Sequence, residues 1–201
     1  MHHLLDFFIN IWLKFFFLFT PFFAITMFLT LTNGYSEKER HKMALQVTAA
    51  AGVLCFALYF FGRFVFDVFG ITVDAFRVGA GALLFLSAVS LVQSKPAQAN
   101  GEREQDIAVV PLAMPIIVGP ATIGTLLVMG AEIATPAEKG AGFLALAVAI
   151  ICIGTLLFLA SVIERMLGRR GINILSKITG LILSAMAAQM MLSGIKNFFA
   201  T

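Results

Sequence analysis

Charge is confined to short intervals in this chain, and between them lie six uncharged runs, at 15–36, 43–62, 78–94, 107–131, 140–163 and 178–195. A hydrocarbon core about 30 Å thick is crossed by a helix of roughly 17–25 apolar residues, so each run is long enough to span it. The composition agrees. Of the 201 residues, 60% are hydrophobic and 12% charged, where a soluble domain has about a quarter charged. The runs predict an all-α integral membrane protein with six transmembrane helices, a single membrane domain over 1–201 and no room for a soluble one. The net charge of +3 comes from basic residues scattered over separate loops rather than gathered in a patch, so no nucleic-acid partner is expected. The lipid bilayer is the partner that the pattern demands.

Orientation follows from the basic residues. Connections one, three and five carry Lys38, Arg40, Lys42, Lys95, Arg103, Arg165, Arg169, Arg170 and Lys177, against Lys14, Arg63, Arg77, Lys139 and Lys196 on the other side. The positive-inside rule then places both termini outside the cytoplasm. The first segment lacks a basic n-region, and its apolar run exceeds the 7–15 residues of a signal-peptide core, so it is expected to stay as the first helix. Cys55 and Cys152 fall inside predicted spans without metal or redox spacing, and packing is their expected role.

The polar linker Ser94–Asp106 divides the spans three and three. Repeat one covers about 1–93 and repeat two about 107–201. Landmarks recur between them: Thr20-Pro21 and Gly119-Pro120 at an offset of 99, the helix starts Ser36–Glu39 and Thr135–Glu138 at the same offset, and Gly70 and Gly79 with Gly171 and Gly180 at 101. Both helix starts read as capping boxes. Three spans per repeat force the second repeat to enter from the opposite side, which predicts 3+3 inverted repeats.

Each matched proline sits near the middle of a membrane-length run. Proline removes a backbone donor and clashes one turn back, so helices one and four are predicted to be broken at mid-membrane depth. Between Pro111 and Gly124 lie Pro111, Pro115, Gly119 and Pro120, a density of breakers that a regular helix cannot carry. Backbone groups freed there are tolerated only where protein buries them or a cavity is lined by them. They can coordinate a cation, and the start of a half-helix can hold a carboxylate. The candidate solute and ion pathway is therefore Thr20, Pro21, Thr26, Pro111, Pro115, Gly119, Pro120 and Thr122. A structural kink is the competing reading of any single proline. Gly79, Gly81 and Gly180 are expected at close helix contacts, and Gln189 at a helix–helix hydrogen bond. Arg77, at the start of helix three, is expected to snorkel or to pair with Asp74. No Asp or Glu lies deep in a span, which disfavours a proton pump and leaves sodium coupling open. Neither a metal nor a catalytic motif is present, so no enzyme and no cofactor are expected.

Thr20-Pro21 leading to Phe28–Thr32, Gly70-Ile71 with Phe76–Gly81, Val110–Pro115 with Gly119-Pro120, and Gly171–Asn173 with Ile178–Leu181 and Gly194-Ile195 together resemble the MarC family. The resemblance implies a multi-pass protein of the bacterial cytoplasmic (inner) membrane. Through an archaeal relative described as a sodium-dependent carrier, it also implies small neutral amino acids such as glycine or alanine as solutes. Many members read Asn-Pro-x-Gly-x-x-Pro in helix one. Here Thr20, Phe23 and Thr26 replace the Asn, the Gly and the second Pro, so a phenylalanine narrows any cavity at that break. The leading expectation is a secondary transporter of small neutral solutes working by alternating access. A non-transporting membrane scaffold or a passive pore are the alternatives, and a homo-oligomer is compatible with any of them.

Overall fold

The computed structural model describes residues 2–93, 118–132 and 135–200. They form seven helices in chain order: α1 (His2–Leu18), α2 (Pro21–Leu31), α3 (Glu37–Phe69), α4 (Val73–Gln93), α5 (Pro120–Glu132), α6 (Pro136–Phe158) and α7 (Ala160–Ala200). Among the described residues there is no strand. Among the described residues, five segments are long and apolar enough to cross a membrane: Leu5–Leu31, Glu37–Gly62, Val73–Gln93, Pro136–Phe158 and Ala160–Ala200. The fourth predicted span differs. Its described part is the 13-residue α5, about 20 Å long at 1.5 Å per residue. The linker 94–106, Pro111 and Pro115 lie outside the described residues.

Local chemistry sets the boundaries. Ser36 caps α3 reciprocally: its Oγ accepts from the Glu39 amide at 3.4 Å, and its own amide donates to Glu39 Oε2 at 2.8 Å. Thr135 caps α6 by accepting from the Glu138 amide at 3.2 Å, with Pro136 at the first helical position. Gly70 ends α3 at φ 62°, a left-handed value that costs glycine little. Within α7 the chain turns at Gly168, where φ is 65° and ψ 164°. The first helix begins well before the uncharged run at 15–36, because α1 carries Lys14 inside it.

The packing is that of a protein in lipid. Leu45, Val53, Phe64, Leu86, Ile151 and Leu181 are each exposed by 60% or more. Large apolar side chains in such number on the outside mark a surface meant for hydrocarbon. The centre belongs to α5, whose Thr122, Thr125, Leu126, Leu127 and Val128 are all buried, between α3 and α4. In the same way α2 packs on α6 and α7.

The helix pair α4·α7 is held by two reciprocal contacts. A Cβ on Gly81 would stand 2.7 Å from Met191 Cγ and 3.1 Å from the Ala187 carbonyl; one on Gly180 would stand 2.9 Å from Val92 Cγ2 and 3.0 Å from the Ala88 carbonyl. Glycine is needed at both because backbone meets backbone. The two sets interchange by adding 99: 81, 88 and 92 become 180, 187 and 191. Early residues of α4 thus meet late residues of α7, and the two helices run antiparallel. At that offset Gly180 corresponds to Gly81, where the sequence landmarks set it against Gly79. Gly79 is exposed, and a Cβ added there would meet nothing within 4 Å.

Candidate functional site

At the first break, α1 stops at Leu18 and α2 starts at Pro21. Thr20 between them has φ 47° and ψ 58°, and it is the one non-glycine residue at positive φ among those described. A β-branched residue in this region is strained by roughly 1–2 kcal/mol. The strain accompanies proline: Pro21 has no amide to donate, and the first bond of α2 runs from the Ala24 amide to the Thr20 carbonyl at 2.9 Å. Thr20 makes no side-chain cap hydrogen bond. The amides of Phe22 and Phe23 therefore head α2 with no carbonyl of their own helix to reach.

Of the second predicted break, the described residues hold the far side, and it starts in the same way. Pro120 opens α5, and the first bond of that helix runs from the Ile123 amide to the Gly119 carbonyl at 3.0 Å. With 11 and 13 residues, α2 and α5 are about 16 and 20 Å long, too short for a core of about 30 Å. Each helix therefore falls short of a full span, and the positive end of its dipole lies at its proline.

Those two beginnings line one cavity of about 430 Å³. Thr20 and Phe23 stand in its wall from the first break, Gly119, Ala121 and Thr122 from the second, and Ser87 and Ser90 from α4. Its described lining contains hydroxyls and apolar side chains and no charged group. Of the pathway residues expected from sequence, Thr20, Gly119 and Thr122 come together here. Pro21 is buried and is not part of the cavity's described lining. Thr26 is turned back onto its own helix, donating to the Phe22 carbonyl at 3.0 Å. The α4 hydroxyls were missed, because serines in an apolar run carry no breaker to signal them.

A second cavity, of about 690 Å³, is lined by other stretches of α1, α4, α5 and α7 together with Glu138 of α6. Its wall is charged, with Lys14, Arg77, Glu132, Glu138 and Lys196, and it includes Thr125 and Gln189. Gln189, expected at a helix–helix hydrogen bond, is an exposed wall residue here. Arg77 meets Asp74 at 3.1 Å, as the one-turn spacing predicts, and also pairs with Glu132 at the end of α5. Asn197 of α7 donates to Asp74 at 3.3 Å, so this cluster ties α4, α5 and α7. Glu132 is a partner that helical spacing cannot reveal, since it arrives from another helix.

Among the described residues, five apolar segments of membrane-spanning length, a lipid-facing exterior and a buried half-length helix define a multi-pass integral membrane protein. A family model described as MarC family integral membrane protein matches residues 5–199, and the chain belongs to the MarC family. It is similar to a membrane protein of Aquifex aeolicus, 35% identical over 88% of this chain and 86% of that one. A membrane protein of Methanocaldococcus jannaschii is 34% identical over 96% of this chain and 98% of its own. Membrane protein YhcE of Escherichia coli is 28% identical over 89% and 87%. No solved structure matches the chain.

Proposed function

We propose that the chain is a secondary transporter of small neutral solutes, rather than an enzyme, and that the solute sits where the two helix breaks share one cavity. The observation that carries this reading is the convergence of Thr20 with Gly119 and Thr122 on a single uncharged cavity. Two half-helix starts supply amides and positive dipole ends for a carboxylate, and the surrounding hydroxyls suit an ammonium group or a sodium ion. Amino acids such as glycine and alanine fit both the chemistry and the volume. A non-transporting scaffold is expected to have its breaks packed shut, and the space beside Thr20 speaks against that.

The reading includes six spans arranged as 3+3 inverted repeats in the bacterial inner membrane. Its support is the antiparallel α4·α7 contact that interchanges at an offset of 99. The pairing of α2 with α6 and α7, matched by α5 with α3 and α4, points the same way. With both termini outside the cytoplasm, a phosphatase fused after Thr201 is active and one fused in the 94–106 linker is inactive. The opposite pair of results overturns the orientation. Transport itself is tested in liposomes: purified protein takes up labelled glycine or alanine along an imposed sodium or proton gradient. Absence of uptake for every neutral amino acid under both gradients rejects the solute class.

A further inference from the structure

The two cavities divide every helix they share in a consistent sense. In α4 the larger one meets Arg77 and Leu84, whereas the smaller one extends from Leu83 to Leu91. In α5 the larger begins at Thr125 and the smaller ends at Thr122. The division falls between Lys14 and Leu18 in α1, and between Met186 and Leu183 in α7. Because α4 and α7 are antiparallel, this ordering stacks the cavities along the axes of the two helices. From Arg77 to Leu91 the rise is about 21 Å, most of a hydrocarbon core about 30 Å thick.

Among the described residues, Leu84 alone lines both cavities, and it is 2% exposed. Beside it Leu183, fully buried, stands in the wall of the smaller cavity. Adding 99 to 84 gives 183, so the two leucines occupy the equivalent point of the α4·α7 crossing. The close contacts at Gly81 and Gly180 clamp the helices on either side of that layer.

We propose that the two cavities are the two halves of one route across the membrane, and that Leu84 is the seal between them. An apolar side chain at a constriction stops permeation by excluding water, and Leu84 is the described residue that both cavities touch. The clamped backbones make α4 and α7 one body. Opening the seal therefore moves α5 and the α1–α2 break away from Leu84 rather than parting α4 from α7. The inference rests on the transporter reading for its purpose, but it is tested by water access alone.

Single reporters Ser193→Cys in the larger cavity and Ser87→Cys in the smaller are reacted, in oriented proteoliposomes, with a membrane-impermeant methanethiosulfonate added to one side. The unmodified chain, with buried Cys55 and half-buried Cys152, supplies the background. The two reporters label faster from opposite sides, and adding Leu84→Ala abolishes that sidedness for both. Should Leu84→Ala fail to accumulate, Leu84→Val gives the same loss at a lower rate. Labelling of both reporters from one side, or sidedness that survives removal of Leu84, overturns the proposal. Intact sidedness without uptake of any neutral amino acid rejects the transport reading alone.

Discussion

At the first break the chain enters the left-handed region at Thr20, and Phe22 and Phe23 follow Pro21 directly. At the second, Gly119 precedes Pro120, and Ala121 and Thr122 follow it. Both breaks place a proline at the head of a half-length helix, and both heads reach the same cavity. They reach it by different means. The first is held by a strained backbone and crowded by an aromatic ring. At the second, a Cβ added to Gly119 would meet nothing within 4 Å. The same backbone device thus serves as a wall on one side of the cavity and as open space on the other. Binding contacts are expected chiefly at Gly119 and Thr122, with Phe23 limiting the size of what fits.

Filling the open side gives the largest effect. Gly119→Leu projects a side chain into the cavity without an overlap at Cβ, so uptake falls about tenfold or more, equivalent to about 1.4 kcal/mol of lost affinity. Melting in detergent stays within a few degrees. An unchanged uptake breaks the assignment of the open side to the solute. Phe23→Ala enlarges the crowded side. It shifts preference from glycine towards larger neutral amino acids by roughly threefold, measured as competition for uptake, in keeping with about 0.6 kcal/mol for a partly used contact. No shift means that the ring does not limit the solute.

Smaller effects test the strain. Thr20→Gly accepts φ 47° without a Cβ penalty and stabilises the protein by about 1 kcal/mol. For a chain of this size that is an increase of roughly 2–4 °C in Tm. A decrease in Tm shows that the Thr20 side chain holds the break. The smallest effect belongs to Thr26→Val, which removes only a hydroxyl bonded to its own helix. Stability changes by less than about 0.5 kcal/mol and uptake is unaltered; a loss of uptake would bring Thr26 into the pathway.

Much of this arrangement is legible in the residues alone, where the physics is local. Proline dictates the break between α1 and α2 and the start of α5, the Ser36 and Thr135 caps set two helix starts, and the spacing of Asp74 and Arg77 places them one turn apart. Small residues at Gly81 and Gly180 announce a close contact, but which glycine faces the partner helix depends on rotation, and Gly79 points away. Long-range features leave weaker traces. Leu84 is one leucine among many in an apolar helix, and only its position between two cavities distinguishes it. Lys14 cuts the first uncharged run short, although the helix continues through it, because its wall position beside a charged cavity tolerates the ammonium group. The larger cavity is assembled from the ends of five helices, none of which signals it by itself.

The central claim is that both breaks face one solute-accessible cavity. Thr20→Cys and Thr122→Cys, each alone, are reacted with an impermeant thiol reagent in proteoliposomes, with and without saturating glycine or alanine. The account predicts that both label from the same side of the membrane and that the solute slows both. Labelling of one from each side, or protection of neither by any neutral amino acid, would contradict it.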